Sequence, residues 1–120
     1  MTLSPKNPWL ATAALNGFLA VIMGAVAAHA IPDAQLAALA ERASLYQLIH
    51  AVLLAAIATR PGKLATASRI LFLAGILLFC GSLSIKALTG YAPITHLAPT
   101  GGVSLMIGWL LLLLSALKQS

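Results

Sequence analysis

Six side chains in this chain have the type and spacing to do chemistry: His29, Tyr46, Gln47, His50, Ser82 and Lys86. Tyr46 and His50 stand four apart, as do Ser82 and Lys86, so on helices each pair shares a face. Gln47 lies beside the first pair. Imidazole, phenol, amide, hydroxyl and amine groups gathered from three helices would suit a quinone, a lipid headgroup or another small amphiphile. Two histidines on different helices could also ligate haem axially, although no Cys-x-x-Cys-His attachment signal exists. No nucleophile, base and orienting group can be assembled, because the two acids, Asp33 and Glu41, fall outside the apolar runs. Histidine spacing matches no zinc motif, and Gly101-Gly102 reads as a helix start after Pro99 rather than a phosphate loop. The expectation is therefore no catalysis and no metal. No cofactor is specified, with quinone, lipid and haem all compatible with the residues.

Each of these residues also has a purely structural reading. His29 could bond a carbonyl freed by Pro32, and Lys86 could reach water or pair with Glu41. Tyr46 and Gln47 could join helices, an interaction worth roughly 0.6 kcal/mol on average. His50 is the strongest functional candidate, since it falls roughly 12 Å along a helix from Arg42. An ionisable group at such a depth is a functional hypothesis by default.

The elements that must position them are membrane helices. Of 120 residues, 61% are hydrophobic and only 8% charged, with mean hydropathy +1.00. About a quarter of an ordinary soluble domain is charged, so this composition fits an exterior facing hydrocarbon. One domain over residues 1–120 is expected. The net charge of +5 comes from basic residues scattered among apolar runs, with no patch or stripe for nucleic acid. Cys80, the only cysteine, lies inside an apolar run, which rules out an internal disulfide.

Four runs are long enough to span, at about 9–31, 43–60, 67–89 and 100–118; about 20 residues cross a bilayer core. The first contains Ala20, Gly24 and Ala28 at every fourth position, a small-residue strip that admits a close neighbour. Ala28-His29-Ala30 also resembles a signal-peptidase site, but the apolar run before it is much longer than a signal peptide needs. Pro32-Asp33 ends that run, and Asp33 is a plausible N-cap for a short outer helix near 33–42, or for an extension of the second span. Arg60-Pro61-Gly62-Lys63 reads as a turn. The third run carries Gly75 and Gly81-Ser82 as a second packing surface, with Arg69 and Lys86 reaching the headgroups at its ends. In the last run Gly108 leaves room beside Trp109, which falls near mid-membrane and is expected to pack.

The fold expected is an all-α integral membrane four-helix bundle. Lys6, Arg60, Lys63, Arg69 and Lys118 fall on the side of the termini, against Arg42 and Lys86 on the other, so both termini are expected in the cytoplasm. With so little loop outside the bilayer, the leading expectation is a non-catalytic accessory protein that packs against a larger membrane complex or itself. The alternative is amphiphile binding in a polar outer pocket. A transporter or channel ranks lowest, because the cytoplasmic halves of spans two to four are almost wholly apolar.

Several stretches are also similar to a known family. Gly24-Ala25-Val26-Ala27-Ala28-His29, Tyr46-Gln47-Leu48-Ile49-His50-Ala51 and Leu78-Phe79-Cys80-Gly81-Ser82-Leu83 resemble, in order, motifs of the YgdD-like family of small four-helix membrane proteins. Leu88-Thr89-Gly90, Pro99-Thr100-Gly101-Gly102 and Gly108-Trp109 continue the series. Ala27, Cys80, Lys86 and Thr100 depart from the family pattern. The resemblance implies a four-helix fold in the bacterial inner membrane, in a family of unknown function with mitochondrial relatives. It implies no activity.

Overall fold

The computed structural model describes residues 6–118, which are helical almost throughout. Helix α1 (Pro8–His29) starts where the Asn7 side-chain oxygen accepts from the Leu10 amide at 3.1 Å, with Pro8 preset for the first turn. Helix α2 (Ala34–Ala56) starts at Asp33, whose carboxylate accepts from the Gln35 and Leu36 amides at 2.9 and 3.0 Å. That cap commits residues 34–42 to the same helix as the apolar run beyond them. Of the two alternatives for 33–42, no separate interfacial helix forms; these residues extend the second run as the first turns of α2.

Gly62, at φ 105°, turns the chain into α3 (Lys63–Gly75). A π-helical segment (Ile76–Cys80) follows and leads without a break into α4 (Gly81–Thr89). Gly90, at φ 75°, ends that rod in the left-handed cap that glycine adopts most readily. Residues Ala92–Leu97 wind as a 3₁₀ helix into α5 (Ala98–Lys118). Among the described residues, three rods are long and apolar enough to cross a bilayer: Pro8–His29, Lys63–Thr89 and Ala92–Lys118.

Two close pairings build the core, α1 on α2 and α3 on α5, with α2 packed along α4. Small side chains permit the first: Ala13, Ala20, Ala40, Ala43 and Ala51 are buried. Ser44 Oγ donates to the Ala20 carbonyl at 2.7 Å, and a Cβ on Gly24 would stand 2.9 Å from that same hydroxyl. In the second pairing a Cβ on Gly75 would run into Leu105, and one on Gly101 into the Phe79 backbone. The Phe72 ring lies 2.7 Å from where a Gly108 Cβ would be. Ser68 Oγ donates to the Gly108 carbonyl at 2.9 Å, and Ser104 Oγ to the Leu71 carbonyl at 2.7 Å. Glycines and hydroxyls thus bring α3 and α5 close where the hydrophobic effect gives no drive between helices. The Cα trace is a slab, 46 × 39 × 17 Å.

Arg69 departs from expectation. Instead of reaching the headgroups it is 6% exposed, and its guanidinium donates to the Ile57 and Arg60 carbonyls at 2.7 and 2.9 Å. A third bond goes to Thr66 Oγ1 at 3.0 Å, and the Trp9 ring centroid lies 5.5 Å away. The carbonyls at the end of a helix have no partner within it, and here a cation supplies one. Arg60 Nε in turn donates to Ser115 Oγ at 2.9 Å. Near the termini, therefore, two arginines tie α1, α2, α3 and α5 together.

Candidate functional site

On α2, Arg42, Tyr46 and His50 stand at successive fourth positions and form one stripe. The rods facing it contribute Phe79 from the π segment and Gly102, Met106 and Trp109 from α5. His50 is 4% exposed. Its Nδ1 lies 2.7 Å from the Tyr46 carbonyl, and its Nε2 lies 3.1 Å from Trp109 Nε1. A carbonyl only accepts and an indole N–H only donates, which assigns the ring proton to Nδ1 and the lone pair to Nε2. Both nitrogens are engaged. To bind a metal or take a proton from a substrate, the ring would first have to give up the Trp109 bond.

Aromatic rings surround this bond. His50 sits 5.6 Å from Phe72 and 5.9 Å from Trp109, and Phe72 meets Trp109 edge-on at 5.5 Å. Tyr46 meets Phe79 edge-on at 5.1 Å and lies nearly parallel to His50 at 6.3 Å. Tyr46, 41% exposed, fronts a half-open cavity of about 310 Å³, with His50, Phe79, Gly102, Met106 and Trp109 around it. Gly102 presents no side chain there, and Phe79 is carried on the π segment, an irregularity that often marks functional positions. A second cavity, of about 560 Å³, lies beyond it toward the far end and shares Phe79, Gly102 and Met106; Arg42 is at its rim.

The other residues expected in one polar site are dispersed. Gln47 turns to α1, donating through Nε2 to Asn16 Oδ1 at 3.0 Å, while Asn16 Nδ2 donates to the Thr12 carbonyl at 2.9 Å. Ser82 is buried but spends its hydroxyl on the Phe79 carbonyl of its own rod, at 3.0 Å. His29 is exposed in the last turn of α1, and Lys86 is half-buried near the end of α4. From Asp33 to His50 is about 25 Å along α2, so His29 and His50 do not share a cluster. Convergence from three helices is replaced by two separate arrangements, Tyr46–His50–Trp109 and Asn16–Gln47. No group of three or more His, Cys, Asp or Glu side chains gathers among the described residues.

Of the packing positions, Ala20, Gly75 and Gly108 are buried, and Gly24 touches Ser44. Ala28 is exposed, and a Cβ on Gly81 would meet nothing within 4 Å, so neither belongs to a helix contact. Two residues were missed. Gly101 read as a helix start is one of the closest contacts in the molecule. Trp109, read only as packing, is the partner of His50. Its signal was available: an indole N–H near mid-membrane needs an acceptor.

Apolar rods of membrane length and exposed Phe18, Val21, Leu77, Met106 and Leu117 side chains are those of a membrane protein. The chain belongs to the family described as "Protein of unknown function (DUF423)", whose model matches residues 23–102. It is 35% identical to a UPF0382 membrane protein of Haemophilus influenzae, over 95% of this chain and 97% of that one. Bacillus subtilis has a similar protein, UPF0382 membrane protein YwdK, 35% identical over 88% of this chain and 92% of its own length. The UPF0382 inner membrane protein YgdD of Escherichia coli is 29% identical over 88% of this chain and 86% of its own. The family seen in the sequence motifs is thus the right one. No solved structure matches.

Proposed function

We propose that the chain is a non-catalytic inner-membrane protein that holds an amphiphile, a lipid or a quinone, in the groove between α2 and α5. The observation that carries this reading is the cavity of about 310 Å³ walled by Tyr46, Phe79, Met106 and Trp109. Its size and aromatic lining suit an apolar chain or ring entering from the bilayer. The engagement of both His50 nitrogens, with Asp33 committed to capping α2, supports the absence of catalysis.

In this reading α2 crosses the membrane as well, through its apolar portion from Ala43 onward, which makes four spans. The excess of Lys6, Arg60, Lys63 and Lys118 near the termini supports cytoplasmic ends. The test is binding of a fluorescent acyl probe by the purified full chain and by Gly102→Leu, which fills the groove. Loss of binding in the variant supports the proposal, and unchanged binding overturns it.

A second reading, association with a larger membrane complex or another copy, is supported by the 17 Å slab and by α1, which turns Leu15, Phe18 and Val21 outward. Native-membrane co-purification tests it; a protein that always runs as a solitary monomer argues against it.

A further inference from the structure

The groove has a charged end. Arg42 is exposed at the rim of the cavity of about 560 Å³, one turn before Tyr46 on the stripe that continues to His50. Pro99, in the first turn of α5, lines the same cavity. Arg42 therefore sits where α5 begins, at the level of an interface rather than in the hydrocarbon. Because Phe79, Gly102 and Met106 line both cavities, the two form one channel-like groove. It runs from a guanidinium to the exposed edge of Trp109, and Arg42 lies about 12 Å from His50 along the helix. Glu41, the nearest acid in sequence, points about 100° away round α2 and does not face the groove.

We propose that this groove is a site for an anionic phospholipid, with the headgroup phosphate on Arg42 and one acyl chain lying along Phe79 and Met106 down to Trp109. The proposal rests on the amphiphile reading and adds the ligand class and its orientation. Charge complementarity selects the occupant. A planar guanidinium binds a phosphate through paired N–H donors. An anionic lipid gains from that contact outright, whereas a zwitterionic headgroup brings its own cation to the same place. A quinone is favoured less, because two of the groove's inner donors are already spent: the His50 N–H goes to the Tyr46 carbonyl and the Trp109 N–H to His50 Nε2. Apart from Arg42, the walls offer an acyl chain mostly carbon.

Trp109 reports occupancy directly. The full chain, carrying Trp9→Phe so that Trp109 is its one indole, is reconstituted in phosphatidylcholine vesicles containing brominated phosphatidylglycerol or brominated phosphatidylcholine. Bromine quenches an indole only on contact. Expected is an apparent affinity about fivefold higher for the anionic lipid, the size of one interfacial cation's contribution. Arg42→Gln should bring the ratio to one and Arg42→Lys should keep most of it; both leave an exposed position on an intact helix. Equal quenching by the two lipids in the parent protein, or an unchanged ratio in Arg42→Gln, overturns the anionic assignment and leaves the amphiphile reading standing.

Gly102→Leu should lower quenching by both lipids. A Cβ there meets only the Phe79 ring, at 3.8 Å, an ordinary contact, and the rest of the leucine would fill the groove that Gly102 lines. If Gly102→Leu quenches like the parent, the groove is not the binding place and both readings fail. A dimer that forms as quenching is lost would make the occupant a second copy and overturn the lipid proposal.

Discussion

The end of the molecule near the termini and the groove at mid-depth meet the same problem, polar groups away from water, in opposite ways. At the termini end, Arg69 is buried and distributes its donors over three oxygens from α2, the following turn and its own helix, with Trp9 against its face. Arg60 extends the net to Ser115. Among the buried side-chain nitrogens and oxygens of the described residues, Arg69 Nε alone is left without a partner. In the groove, His50 is satisfied by just two partners, and the aromatic wall that supplies one of them stays partly open. One region closes the fold. The other satisfies the His50 and Trp109 ring nitrogens and leaves an apolar wall partly open.

The largest effect that separates the two regions is expected from Arg69→Ala. It strips the end of α2 of charged hydrogen bonds and should cost about 3 kcal/mol, read by unfolding in mixed detergent micelles, while leaving Trp109 emission unchanged. Gly101→Ala should cost about 2 kcal/mol, because the added Cβ meets Phe79 backbone that must move. Gly81→Ala is its control: with nothing within 4 Å it should be neutral or slightly stabilising by the same measurement.

His50→Phe keeps a ring in the aromatic cluster but removes the acceptor of the Trp109 N–H. A loss of about 1 kcal/mol and a blue-shifted Trp109 emission are expected; a larger loss than Arg69→Ala would reverse the comparison. Smallest is Gln47→Leu, at about 0.6 kcal/mol, with no change in acyl-probe binding. A change in binding there would mean that the Asn16–Gln47 face, not the α5 face, holds the ligand.

Much of the scaffold was legible. The Asp33 cap, the stop at Thr89-Gly90, the close approach at Ala20 and Gly24, and the gap at Gly108 all follow from local chemistry that neighbours cannot readily change. The site was legible only in part. Tyr46 and His50 share a stripe in any helix, and so they share one here. Gln47 lies only about 60° from His50 round the same helix, near enough to suggest one polar face. That face is split because α2 has a neighbour on either side, α1 taking Gln47 and α5 taking His50. Arg69 was misplaced for a similar reason. Its position near the end of an apolar run suggests a side chain reaching for headgroups, but the carbonyls of Ile57 and Arg60, just past the end of α2, are within its reach.

By itself the sequence determined that hydrocarbon surrounds this chain, where a few caps and glycines begin or end its helices, and which family it belongs to. Those properties depend on composition, caps and ordered motifs, all of which act within a few residues or through the bilayer as solvent. Which polar side chains meet was decided by the tertiary structure alone. Each hydrogen-bonding atom withdrawn from water takes the nearest available partner, and whether that partner is Trp109, Asn16 or the end of α2 depends on which helix lies alongside.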